Sequence, residues 1–168
     1  MTGQSGAPGR RDLLVVYLND HLAGATAGTE LARRAAAAQR DPAKRGIMRG
    51  LAGEISEDRQ ALLEIMAAIG IPVRGYKVWA GWLAEKAGRL KLNGSLLARS
   101  ALSDLLELEM MRLGVEGKAA GWHTLRTLAA SRPELDAARL DRLLARAEDQ
   151  SKRLEGLRAE AAAEIFLA

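Results

Sequence analysis

Glu109, Arg112, Glu116 and His123 recur at steps of three, four and seven residues on one long helical run, so they share one edge of a helix. Two carboxylates and an imidazole can ligate iron or manganese, and a histidine near a carboxylate can move a proton. Arg112 points to different chemistry. It carries a permanent charge and five donors in a rigid fork, which suits a buried ion pair. The other candidates are His21, Asp58 and Glu148. Asp58 stands out because its own run, Met48, Leu51, Ile55, Asp58, Leu62, Ile65 and Ile69, calls for an apolar residue at that place.

The run carrying the first four extends from Asn93 to Ala130, with an apolar stripe of Leu97, Ala101, Leu105, Leu108, Met111, Val115, Ala119, Trp122 and Leu125. Counting residues from the expected turns sets Asp58 level with Ala25 and Arg112 level with Asp58, and brings Glu116 and Glu148 to the depth of His21. A polar core layer of His21, Asp58, Arg112, Glu116 and Glu148 is therefore expected. Three readings of it are open. The layer is an ion-pair network around Arg112, which would fix register more than add stability. It is a metal site with His21, Asp58, Glu116 and Glu148 as ligands. Or Arg112 and Glu116 are a solvated pair and only Asp58 is partly buried. His21 and Asp58 are the better pair for proton transfer, but no motif places a nucleophile beside them, and no catalytic residue is assigned.

The elements that position these residues are helical throughout. Ala, Leu, Arg and Glu dominate the 168 residues, and strand formers are sparse. No apolar run is long enough to span a membrane, and the first residues lack the apolar stretch of a secretory signal. The chain has no cysteine, which excludes disulfides, zinc–thiolate sites and a thiol nucleophile. With 25 basic and 21 acidic side chains, the net charge of +4 is a mild excess.

In chain order, residues 1–10 read as a disordered tail and 11–168 as one domain. Helices are expected over 12–40 with Asp12 as cap, 42–69 behind Asp41-Pro42, 76–90, 94–130, and 133–166 behind a Ser131-to-Glu134 capping box. Gly24, Ala25, Ala27 and Gly28 give the first helix a thin waist that lets a neighbour approach. The 76–90 helix carries Trp79 and Trp82 and would cross the length of the bundle, making the second and third long helices parallel; the rival is an up-down-up-down bundle with this helix lying across one end. The expected fold is all-α: a four-helix bundle of two antiparallel hairpins with a long helical crossover.

This arrangement resembles the ferritin-like superfamily, whose members commonly house two iron or manganese ions. The resemblance implies a carboxylate on helices 1 and 3 and a Glu-x-x-His pair on helices 2 and 4. Here helix 2 offers Glu54-Ile-Ser-Glu57 and helix 4 offers Glu148-Asp-Gln-Ser151, so Glu57 and Ser151 stand in the histidine places. Helix 1 offers Glu30 or His21, and helix 3 offers Glu109 or Glu116 with Arg112 between them. The resemblance therefore implies a relative without the metal motifs, and the family's oxidase, storage and hydroxylase activities do not carry over.

The functional expectation is a non-catalytic, cytoplasmic bundle with a structural or protein-interaction role and no cofactor. A homodimer is expected, with Val16 and Leu102 as contact points. One alternative is an iron- or manganese-dependent oxidoreductase. The other is a nonspecific binder of nucleic acid or another anionic partner through Arg33, Arg34, Arg40, Lys44, Arg45 and Arg49, which cluster at the first helical turn. No aromatics are interleaved there for base stacking.

Overall fold

The computed structural model describes residues 9–74 and 101–167, and these form four helices: α1 (Arg10–Ala38), α2 (Pro42–Ala68), α3 (Ala101–Leu128) and α4 (Ala137–Phe166). Local chemistry sets most of their ends. At the start of α2, Asp41 accepts from Ala43 N and Lys44 N at 2.7 and 3.0 Å, and Pro42 occupies the first helical position where its missing N–H costs nothing. At its end, Gly70 takes φ 66°, Gly70 N reaches Ala67 O, and Ile71 N reaches Met66 O at 2.8 Å. That double bond with a left-handed glycine is a Schellman stop, closed by burial of Ile71 next to Met66.

Two expected caps move. Asp12 lies inside the first turn of α1, where its carboxylate accepts from Gly9 N at 3.2 Å, so the helix begins two residues earlier than its sequence suggests. The α4 cap is Asp136, which accepts from Arg139 N at 3.0 Å, rather than Ser131. Ser131 instead donates its hydroxyl to Leu128 O and closes the end of α3. Leu135, buried in the turn between them, delays the helix start because it anchors residues 131–135 to the core.

Side-chain pairs define the topology. Arg59 donates to Thr26 and Arg11 to Gly70 O, so α1 and α2 are an antiparallel hairpin. Arg126 meets Asp141 and Arg112 meets Glu155, so α3 and α4 are another. Tyr17 and Thr124 share a hydrogen bond of 2.9 Å, making α1 antiparallel to α3, while Lys44–Glu164 and Arg139–Glu64 do the same for α2 and α4. It follows that α2 and α3 run parallel at diagonal corners of the bundle. The connection between them must travel its length, about 40 Å for helices of this size. Asn19 clamps the chain as it leaves α2, accepting from Arg74 N and donating to Pro72 O. The expected 76–90 helix with Trp79 and Trp82, and the first residues of the 94–130 helix, lie outside the described residues.

In α1 the buried residues are Val15, Leu18, Leu22, Ala23, Thr29, Ala32, Ala35 and Ala36. In α2 the seven-residue seam is buried as read, Asp58 included. Leu18, Leu51, Met66, Leu125, Leu140 and Leu154 are the large fully buried side chains that join all four helices.

Candidate functional site

Asp58 is 1% exposed in the middle of an apolar core. An isolated carboxylate there would be prohibitively costly, so it must be paired. It is paired three times. Lys118 of α3 and Gln150 of α4 donate to Oδ2, and Arg146 of α4 donates to Oδ1. Gln150 is fully buried and its amide is used at both ends: the oxygen accepts from Lys118, and the nitrogen donates to Asp58 and to Glu54, each at 3.1 Å. Glu54 also receives Arg153, which is held from the other side by Asp149 at 2.8 Å. Arg146 reaches out to Glu57 at 2.9 Å. The result is a polar seam between α2 and α4 that ends in a buried Asp58–Lys118 pair.

The electrostatics follow from burial and partners. Burial lowers the Lys118 pKa from its ordinary value, with the Asp58 carboxylate opposing that shift. At Glu54, burial pushes the carboxyl up, but the hydrogen bonds from Arg153 and Gln150 outweigh it and the pKa is lowered. Glu54 bonded to Arg153 in turn raises the Arg153 pKa.

The polar layer expected from the sequence comprises His21, Asp58, Arg112, Glu116 and Glu148. Of its five members, only Asp58 lies in the network. Arg112 is exposed on the outside of α3, paired with Glu155 at 3.0 Å. Glu116 accepts from Ser151 at 2.6 Å on the surface, and Glu148 pairs with Lys152, also on the surface. His21 is half-buried against Tyr17, their rings 4.5 Å apart edge to face, and lies beside Gly121 rather than Asp58. His123 is exposed, and Glu109 lies 4.0 Å from Arg158. The helix register explains the difference. Lys118, not Arg112, is level with Asp58, a shift of six residues or about 9 Å along α3. On α4, Glu148 lies two residues from both Arg146 and Gln150, which turns it about 200° away from the core.

A sequence signal for the true partners existed. Lys118 is three residues from Val115 and four from Trp122, and Gln150 is three from Ala147 and four from Leu154. Both interrupt an apolar stripe just as Asp58 does.

The carboxylates do not fit a metal ion. Both oxygens of Asp58 and Oε2 of Glu54 are taken by lysine, arginine and amide donors, and no group of three or more His, Cys, Asp or Glu converges among the described residues. A cation entering there would meet Lys118 and Arg146 first.

The basic end is largely committed to its own structure. Lys44 pairs with Glu164 at 2.6 Å and Glu160 at 3.6 Å, and Arg33 pairs with Glu30. Arg45 donates to the carbonyls of Gln39 and Arg40, satisfying the end of α1. Arg34, Arg40 and Arg49 are exposed and their side chains carry no ion pair among the described residues.

A cleft of about 440 Å³ opens between α1 and α3. Glycines thin both of its walls, Gly24 and Gly28 on one side and Gly114 and Gly117 on the other, and a Cβ built on any of the four meets nothing within 4 Å among the described residues. Ile55 and Leu62 of α2 form its floor with Asp58 and Lys118. The thin waist expected in α1 is thus a gap, and it is matched by a second one in α3.

Against known protein families, curated proteins and solved structures, the chain finds no match. Among the described residues, no helix is long and apolar enough to cross a membrane.

Proposed function

We propose that this chain is a non-catalytic helical-bundle protein that works by protein interaction, as a homodimer in the cytoplasm. The supporting observation is on α3. Leu102, Leu106, Met110 and Leu113 are all exposed, Leu113 at 71%, and their steps of four, four and three residues draw one line along the helix. A line of four large apolar side chains in water is a contact surface in search of cover. A second copy supplies the same line, and a two-fold axis lays one against the other. Val16, the other expected contact point, is exposed on α1.

The parallel α2 and α3 support a ferritin-like ancestry. Lys118, Arg146 and Arg153 supply the positive charge that balances Asp58 and Glu54, and in this reading the fold closes without a cofactor.

The test is light scattering of the eluting protein across a concentration series, comparing the wild type with a Leu106→Glu, Leu113→Glu variant. A dimer that becomes a helical monomer on substitution supports the reading. A wild type that stays monomeric throughout the series sinks it.

A further inference from the structure

The cleft between α1 and α3 carries a second feature besides its glycine walls. Trp122 lines it and is 2% exposed, yet its indole N–H has no hydrogen-bond acceptor among the described residues. Buried donors are nearly always satisfied, so a lone one beside a hollow calls for an acceptor beyond those that the described residues supply. Lys118 adds to this. Two of its three N–H groups go to Asp58 and Gln150, leaving one without an acceptor among the described residues at the cleft floor. Asp58, the acceptor on that floor, already receives three donors, from Lys118, Gln150 and Arg146. What the cleft offers is apolar wall and spare donors.

Protein interiors are close-packed, and a gap flanked by glycines on two helices is unlike the filled core around it. Its volume of about 440 Å³ falls in the range of small-molecule sites, roughly 300–1,000 Å³. We propose that the α1–α3 cleft binds an apolar molecule that ends in an acceptor group, a fatty-acid-like carboxylate. The hydrocarbon lies between the glycine walls, and the carboxylate accepts from the Trp122 indole N–H and the third N–H of Lys118. Met110 belongs both to the cleft lining and to the α3 stripe that carries the dimer reading, but Leu106 and Leu113, substituted to test the dimer, do not line the cleft, so either reading can fail without the other.

Calorimetric titration of the full chain with dodecanoic acid, below its micelle concentration, tests the proposal, with dodecylamine as the matched chain whose head group donates. The wild type is expected to bind the acid saturably at one site and to bind the amine much more weakly. Gly117→Leu should abolish binding and raise the melting temperature, because leucine fills the hollow and removes a helical glycine. Trp122→Phe keeps the ring and loses the N–H, and should weaken acid binding about tenfold while leaving the fold intact. Equal binding of acid and amine would overturn the carboxylate assignment. No saturable binding by the wild type, with Gly117→Leu lowering the melting temperature, would show that the chain's own side chains fill the cleft, and would overturn the site.

Discussion

Lys118 of α3 reaches Asp58 of α2 across the diagonal of the bundle, joining two helices that are not packed side by side. Lys118 is 13% exposed and Asp58 1%, so the pair lies in the core and not on its rim. Arg146 and Gln150 of α4 complete the contact, and three helices are thereby tied to one carboxylate. Such a pair adds little over apolar packing, but it penalises any register that separates its members.

The first prediction concerns that carboxylate. Asp58→Ala leaves the buried Lys118 without its carboxylate partner and Arg146 with Glu57 alone, and should cost about 3–5 kcal/mol in urea unfolding. Asp58→Leu combined with Lys118→Met should recover most of that loss, since it removes both charges and keeps the volume. A double variant as unstable as the single one would show that Lys118 is not the principal partner.

Acid sensitivity should come in part from His21. Burial lowers its pKa below the ordinary 6.5, against a smaller opposing effect of Asp20. The unfolded chain then binds more protons than the folded one in the window just below 6.5, so stability rises with pH through that window. The lowered Glu54 pKa acts in the same direction but at lower pH, below 4.5, where its pairing with Arg153 is lost on protonation. His21→Gln should flatten the stability profile between about pH 5 and about pH 7. An unchanged slope would mean that the imidazole is not the group responsible.

Glycines on α3 should respond in opposite ways to one methyl group. At Gly117 a Cβ meets open space, so Gly117→Ala should stabilise by up to about 1 kcal/mol through helix propensity alone. At Gly121 the same Cβ would lie 3.0 Å from Nδ1 of His21, whose ring is backed by Tyr17. Gly121→Ala should therefore gain nothing or destabilise, and His21→Ala in the same chain should restore the gain. Thermal melts of the three variants check this directly.

The end of α2 offers a fourth test. Gly70 at φ 66° holds the Schellman stop and presents its carbonyl to Arg11 at 2.7 Å. Gly70→Ala should lower stability by about 1 kcal/mol, because an L side chain is strained in that conformation. Gly46→Ala, in open space on the same helix, should not.

Much of the fold was legible in the sequence, and the reasons are local. Apolar spacing marked all four described helices, Asp41-Pro42 started α2, and Gly70 stopped it, because each of these depends on neighbours within one turn. Asp58 was legible too, as a charge in an apolar seam that had to be paired. Its partners were not. Choosing Lys118 over Arg112 needs the depth of α3 against α2, and that depth is set by packing between helices far apart in the chain, which no local rule measures. Likewise the glycines of α1 and α3 announced thin places in two helices, but only their meeting across the bundle turned thinness into a cleft. Sequence by itself determined which residues are helical and which charge had to be buried. Tertiary structure decided which cations answer that charge and where the core is left unfilled, because both depend on register between helices far apart in the chain.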